Sequence, residues 1–190
     1  MIWKRIFGRS DRDEVPFALY RALVAQARMP GLYIHAGVPD TLEGRFEMVM
    51  LHAFLVLRRL KDAEEPGRAL AQRIFDIMFD DMDQTLREIG VGDLSVGKKI
   101  KKMASSFYGR MAAYDAGLAD ADEHVLADAI RRNVFAEMEV PASQVAALAD
   151  YVRACVAALA EEPDSAFFEG RASFAAAPLV PPVLAEGPIA

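Results

Sequence analysis

The chain has 190 residues, 53% hydrophobic and 9% aromatic, which is enough for one domain with a substantial core. A formal net charge of −6 argues against a general nucleic-acid binder, and no DNA partner is expected. The single cysteine, Cys155, excludes an internal disulfide and fits a reducing compartment. The most hydrophobic run, Met48 to Leu57, is shorter than the roughly 20 residues that cross a bilayer. These features predict a cytoplasmic protein, at most peripheral on the inner membrane.

The first third of the chain is predicted to contain a flexible N-terminal segment, residues 1–12, and two helices. The N-terminal segment places Trp3 and Phe7 among basic residues and resembles a short interfacial anchor. A disordered terminus and simple packing onto the body are equally open. A first helix is expected from about Val15 to Arg28. After a Pro- and Gly-containing loop, a second helix from Thr41 to about Lys61 is apolar on all sides in its middle, as in the centre of a bundle.

The rest of the chain predicts four more helices and a tail. The helices are expected at about Gly67 to Ile89, Ser95 to Gly117, Asp122 to Glu137 and Ala142 to Ala160. Residues 171–190 are rich in Ala and Pro and are predicted to be extended, either disordered or lying along the body in a groove. No strand-period alternation persists. The predicted fold is therefore all-α, a single-domain bundle of about six to seven helices over residues 13–170.

A basic segment stands out from this acidic chain. Between Leu94 and Tyr114 there are five basic residues and no acidic one, so the net charge of −6 becomes −11 without this window. With Ser95 as the N-cap, the four lysines occupy the first two turns, where the helix dipole disfavours cations. An ordinary solvated charge run is one interpretation. The other is binding of an anion, such as a phosphate, a lipid headgroup or an acidic protein surface. The lysines are Lys98, Lys99, Lys101 and Lys102.

The same helix carries an apolar stripe at helical spacing. Phe107, Met111 and Tyr114 lie on it, and Tyr108 and Arg110 lie on its opposite borders. We interpret these five positions as the border of a groove that shelters an apolar segment of another protein. Abundant methionine on the central three helices weakly favours this interpretation, since flexible Met surfaces bind varied apolar helices.

Catalytic and metal-binding patterns are absent from the sequence. None of the three histidines, His35, His52 and His124, follows a Glu at the third preceding position, and no Cys or His pair has metal spacing. No glycine-rich phosphate loop or nucleophile elbow is present. His52, inside the most apolar helix, is interpreted as a hydrogen-bonded core histidine, with a haem ligand as the alternative. No enzyme activity, cofactor or metal is expected.

Several motifs together resemble a known family, the ubiquinol–cytochrome c chaperones, which are assembly factors of the cytochrome bc1 complex. The main match is FDDMDQTLREIGVGDLSVGKKIKKMASSFYGRMAAYDAGL, residues 79–118. Shorter matches are Leu51-His52-Ala53, Arg58-Arg59-Leu60, LADAIRRNVF at 126–135 and Tyr151-Val152-Arg153. The ordered combination of Leu-Arg-Glu-x-Gly-Val, the lysine cluster and Phe-Tyr-Gly-Arg is specific.

The resemblance implies a non-catalytic chaperone that binds a hydrophobic client during biogenesis of ubiquinol–cytochrome c reductase. Mitochondrial relatives bind newly made cytochrome b, with a small partner near the ribosomal exit. This chain looks like a bacterial version, whose client would be cytochrome b or another nascent membrane protein. The four lysines would contact a ribosome or an anionic membrane surface beside the groove. The alternative function is a peripheral membrane- or ribosome-binding adaptor without a client. The sequence leaves the oligomeric state open.

Overall fold

A computed structural model describes residues 14–136 and 138–178 of the chain. The sequence expectations for residues 1–12 and for 179–190 lie outside the described residues. The described part contains six longer helices, two single-turn helices and no strand, which confirms the all-α prediction. In chain order the helices are α1 (Glu14–Ala27), α2 (Pro30–Ile34), α3 (Leu42–Lys61), α4 (Glu64–Glu88), α5 (Asp93–Ala119), α6 (Glu123–Ile130), α7 (Ala142–Glu161) and α8 (Asp164–Phe168).

Helix α3 is the central element, as its all-round hydrophobicity predicts. It packs against α1, α4 and α7, and every residue from Met50 to Leu57 is buried. Its start is fixed by Thr41, whose Oγ1 accepts a hydrogen bond from the Gly44 backbone N–H at 3.1 Å. The predicted start and end of this helix are both confirmed.

Apart from shifts of one or two residues at helix ends, the helices depart from the expectation in three places. Helix α2 forms within the stretch predicted to be a loop, because Pro30 is favourable in the first turn of a helix. Helix α4 begins at Glu64, three residues before the predicted start. Helix α6 ends at Ile130 and continues as a π-helical turn over Arg131–Phe135, where the sequence predicted one uninterrupted helix. The predicted end of this helix, Glu137, lies outside the described residues.

Two glycines, one before α5 and one within it, occupy positions where a side chain would be unfavourable. Gly90 adopts φ +87°, a left-handed conformation that ends α4 and begins the connection to α5. Gly117 lets α5 approach α6 closely, because a Cβ there would lie 2.6 Å from the Leu126 Cα. The pair of helices α5 and α6 therefore depends on a missing side chain at one position.

Residues 171–178 have no helix or strand and lie along the body. Ala177 is buried, and Ala172, Phe174 and Ala175 pack against the core from partly exposed positions. The Gln26 side-chain amide donates a 2.9 Å hydrogen bond to the Ala175 carbonyl oxygen. Of the two alternatives that the sequence left open for the tail, these eight residues follow the one in which it lies in a groove.

Candidate functional site

The four lysines of the basic helix lie on the exposed surface of α5. Lys98, Lys99, Lys101 and Lys102 are all exposed, and among the described residues no carboxylate forms an ion pair with them. A cluster of unneutralised cations raises the local positive potential and attracts anions. The lysines are therefore available to a partner outside the described part of the chain.

The expected N-cap of this helix is wrong. Helix α5 begins at Asp93 after Gly92, so Ser95 lies within the first turn. Asp93 supplies a negative charge in that turn, where the helix dipole favours it, and it also pairs with Arg87. The lysines begin at the sixth residue of the helix, beyond the first turn in which the dipole acts strongly. Their placement thus carries little dipolar cost, and the argument for an anion rests on their exposure and clustering.

Two of the five residues expected to border a groove belong instead to the core. Phe107 and Tyr114 are both 1% exposed. The Phe107 ring lies 5.8 Å from that of Phe75, and the Tyr114 ring 5.4 Å from that of Phe54. They are buried because the apolar stripe of α5 is the face that packs against α3 and α4. In this conformation neither residue can border an open groove.

The other three groove residues have different environments. Tyr108 is 60% exposed, and its ring packs against that of Phe75 at a centroid distance of 5.7 Å and an angle of 33°. Met111 is partly buried against the core. Arg110 makes two hydrogen bonds to Glu47 on α3, Nε–Oε2 at 2.8 Å and Nη2–Oε1 at 2.5 Å. Tyr108 is therefore the member of the set that can contact a partner without rearrangement, and it lies on the same helix as the lysines.

Further exposed apolar side chains occur before and within α2, in the stretch predicted to be a loop, and at the first residue of α3. Met29, Ile34 and Leu42 are 42%, 68% and 53% exposed. Ile34 also lines a pocket together with Arg28, Pro30, Tyr33, Asp40 and Arg45. The sequence signal for this exposed apolar surface was the presence of Met, Tyr and Ile within a connection that contains Gly and Pro. Exposed apolar residues near one another are typical of interaction surfaces.

His52 is the core histidine that the sequence predicted. It is fully buried, and its Nδ1 and Nε2 lie 2.7 Å from the Met48 carbonyl oxygen and from the Tyr151 hydroxyl. Burial lowers the pKa of His52 to about 4, so the ring is neutral at pH 7. Nδ1–H then donates to Met48 and Nε2 accepts from Tyr151, so both ring nitrogens already have partners.

Helix α7 has the length and composition of a membrane span, which the sequence analysis missed. The span Ala142–Glu161 is the candidate found in the described part of the chain. Its Val145, Leu148, Val152 and Leu159 are buried against the rest of the bundle. The core helix of a folded domain can have the same length and hydrophobicity as a membrane span.

Within residues 14–136 and 138–178, no group of three or more His, Cys, Asp or Glu is placed to hold a metal ion.

The profile of the Ubiquinol-cytochrome C chaperone family matches residues 35–174, which include α3 to α8 and the basic face. The chain belongs to this family. The resemblance drawn from residues 79–118 and the shorter motifs is therefore confirmed. A Cbp3 homolog from Brucella abortus, whose crystal structure is known, is 38% identical. The two folds have a TM-score of 0.80 over 93% of this chain and 98% of that one.

Relatives from animals are named as assembly factors of the ubiquinol-cytochrome c reductase complex. Ubiquinol-cytochrome c reductase complex assembly factor 1 of Mus musculus is 28% identical over 135 residues, 71% of this chain and 45% of the mouse protein. The protein of that name in Homo sapiens is 27% identical over 135 residues, again 45% of its length. This chain thus spans less than half of the mouse and human relatives.

Proposed function

We propose that this protein is a non-catalytic chaperone for assembly of ubiquinol–cytochrome c reductase, with cytochrome b as its client. The observation that carries the proposal is the family match over residues 35–174, together with a fold shared at 38% identity with a Cbp3 homolog. The mouse relative is named an assembly factor, and the family is named a chaperone family. Such roles need binding surfaces and no reaction centre.

In this proposal the exposed side of α5 is the contact surface. Tyr108 offers an aromatic face to an apolar client segment, and Phe75 holds the ring in place from beneath. The lysines lie on the preceding turns of the same helix and bind an anionic surface next to the client. Phe107 and Tyr114 support this side from within the core and do not touch the client.

The chemistry of the lysine face suits a membrane where cytochrome b is inserted. Near an anionic bilayer each lysine contributes about 1 kcal/mol, so four support reversible docking. In this proposal the protein is cytoplasmic and binds peripherally to the inner membrane. A second candidate function, a membrane- or ribosome-binding adaptor with no client, rests on the same exposed lysines. The two differ in whether Tyr108 contacts an apolar protein segment.

A site-specific crosslink tests the client contact. A photoreactive phenylalanine analogue in place of Tyr108 is expected to crosslink to cytochrome b in cells that are synthesising the reductase. The matched control places the analogue at Arg21, an exposed residue of α1. A crosslink to cytochrome b from position 108 alone supports the chaperone. Crosslinks from position 108 only to ribosomal proteins or lipids would support the adaptor instead.

A further inference from the structure

Residues 171–178, here called the C-terminal strap, occupy a groove that is built from four helices. Gln26 of α1, Gly31 of α2, His52 of α3 and Tyr151 of α7 all meet the strap or the residues that hold it. The strap has no regular secondary structure of its own. Its side chains are small except for Phe174 and the exposed Arg171, which pairs with Glu169.

The groove holds the strap through its backbone. Gln26 Nε2 donates a 2.9 Å hydrogen bond to the Ala175 carbonyl oxygen, which ties the strap backbone to α1. The Gln26 amide is itself positioned by a 2.9 Å hydrogen bond to the Tyr151 hydroxyl, which also bonds His52. A contact of this kind can bind any extended chain with a free carbonyl, because it does not depend on the side chain.

Two features give the groove its shape. One is the position of the Phe174 ring against His52, here called the His52 seat, and the other is the close approach of the strap to Gly31. The Phe174 ring meets the buried His52 ring edge-on at 5.5 Å, so an aromatic side chain fits there. At the far end a Cβ on Gly31 would lie 2.5 Å from the Pro178 carbonyl oxygen and 3.1 Å from the Ala177 Cβ. The absence of a side chain at position 31 thus lets the strap backbone pass directly over α2.

We propose that this groove is a binding site for an extended apolar segment of the client with an aromatic residue at the His52 seat. The strap is the resident occupant and must leave before the client segment enters. This inference rests on the proposed chaperone function. Partly exposed Ala172, Phe174 and Ala175 bury less surface than a larger apolar segment would, so a client segment can displace them. The strap then keeps the groove covered when no client is present.

Two full-length variants open the groove from opposite ends. Gly31→Ala places a methyl group against the Pro178 backbone, and Phe174→Ala empties the His52 seat. The matched control is Gly109→Ala on α5, where an added Cβ has nothing within 4 Å. Circular dichroism and the thermal midpoint show which variants keep the helical fold. Either opening variant alone carries the test if the other does not fold.

The probe is a fluorescein-labelled peptide with the sequence of residues 171–176. It lacks Ala177 and Pro178, the two strap residues that a methyl group at position 31 would contact. Fluorescence anisotropy is expected to show binding about tenfold tighter to either opening variant than to the unchanged chain or the Gly109→Ala control, because strap occupancy reduces the competent fraction. The same peptide with its Phe replaced by Asp is expected not to bind. Equal or absent binding in folded variants would overturn the groove as a binding site.

A competition experiment tests the class of ligand. Unlabelled peptides that keep the Phe and replace the alanines with Leu and Val are expected to displace the labelled peptide at lower concentration than the strap sequence itself. If only the strap sequence displaces it, the groove serves intramolecular closure alone and the client role is overturned. Crosslinking of Tyr108 to cytochrome b is read separately, so a failure of the groove proposal is distinguishable from a failure of the proposed function.

Discussion

Arg110 on α5 and Glu47 on α3 form a two-point ion pair with side chains only 20% and 13% exposed. Burial raises the pKa of Glu47, and the hydrogen bonds from Arg110 only partly counter this effect. The ionised carboxylate is thus less favourable in the folded protein than in water. The pair contributes little net stability as a whole, but either partner alone would be a nearly buried charge.

Breaking this pair is expected to destabilise the bundle asymmetrically. Arg110→Met leaves Glu47 without its partner and should lower the free energy of unfolding by about 3 kcal/mol. The double variant Glu47→Leu/Arg110→Met removes both charges and should recover most of that loss. Urea unfolding of the four proteins of the cycle measures the coupling. Losses that simply add would show that the two side chains do not depend on each other.

Two glycines of α5 should respond oppositely to the same substitution. Gly117→Ala drives a Cβ to 2.6 Å from the Leu126 backbone and should lower stability by about 1–3 kcal/mol. Gly109→Ala adds a methyl group in open space and should raise stability by about 0.5–1 kcal/mol through helix propensity. Thermal and urea unfolding compare them. A similar response at both positions would contradict the close approach of α5 and α6.

The buried His52 should make stability depend on pH in the acid range. Its pKa is about 4 in the folded protein and near 6.5 in the unfolded chain. The unfolded state therefore binds a proton that the folded state does not, so stability is lost as pH falls from about 6.5 to 4, by on the order of 3 kcal/mol. His52→Leu should flatten this part of the curve. An unchanged slope in urea unfolding would show that other groups dominate it.

The lysine face should control membrane attachment without affecting the fold. Lys98→Glu/Lys102→Glu reverses two exposed charges and should abolish most co-sedimentation with anionic vesicles, while the thermal midpoint stays nearly unchanged. Arg21→Glu/Arg132→Glu changes the net charge equally at two other exposed positions. If this control loses sedimentation to the same extent, overall charge and not the face is responsible.

Local signals account for the elements that the sequence predicted well. The all-round apolar middle of α3 and the Thr41 cap lie within a few residues of the features they determine. The core role of His52 follows from its position in that helix. The i, i+4 spacing of Asp83 and Arg87 on α4 suits an ion pair between neighbouring helical turns, and this pair is present.

The missed features depend on residues far apart in the chain. A helical stripe does not say whether Phe107 faces a groove or a neighbouring helix, because Phe75 and Phe79 decide this from α4. The Arg110–Glu47 pair joins positions 63 residues apart. Composition alone also left open whether the tail lies on the body, since its hydrogen bond from Gln26 crosses 149 residues.

The most direct test of the chaperone function is a deletion strain of the source organism. Reduced-minus-oxidised spectra of its membranes report b- and c-type haem, and quinol–cytochrome c reductase activity is measured on the same membranes. The proposed function predicts loss of the reductase haem signals and of activity, both restored by the gene. Normal spectra and normal activity in the deletion strain would contradict a role in assembly of this complex.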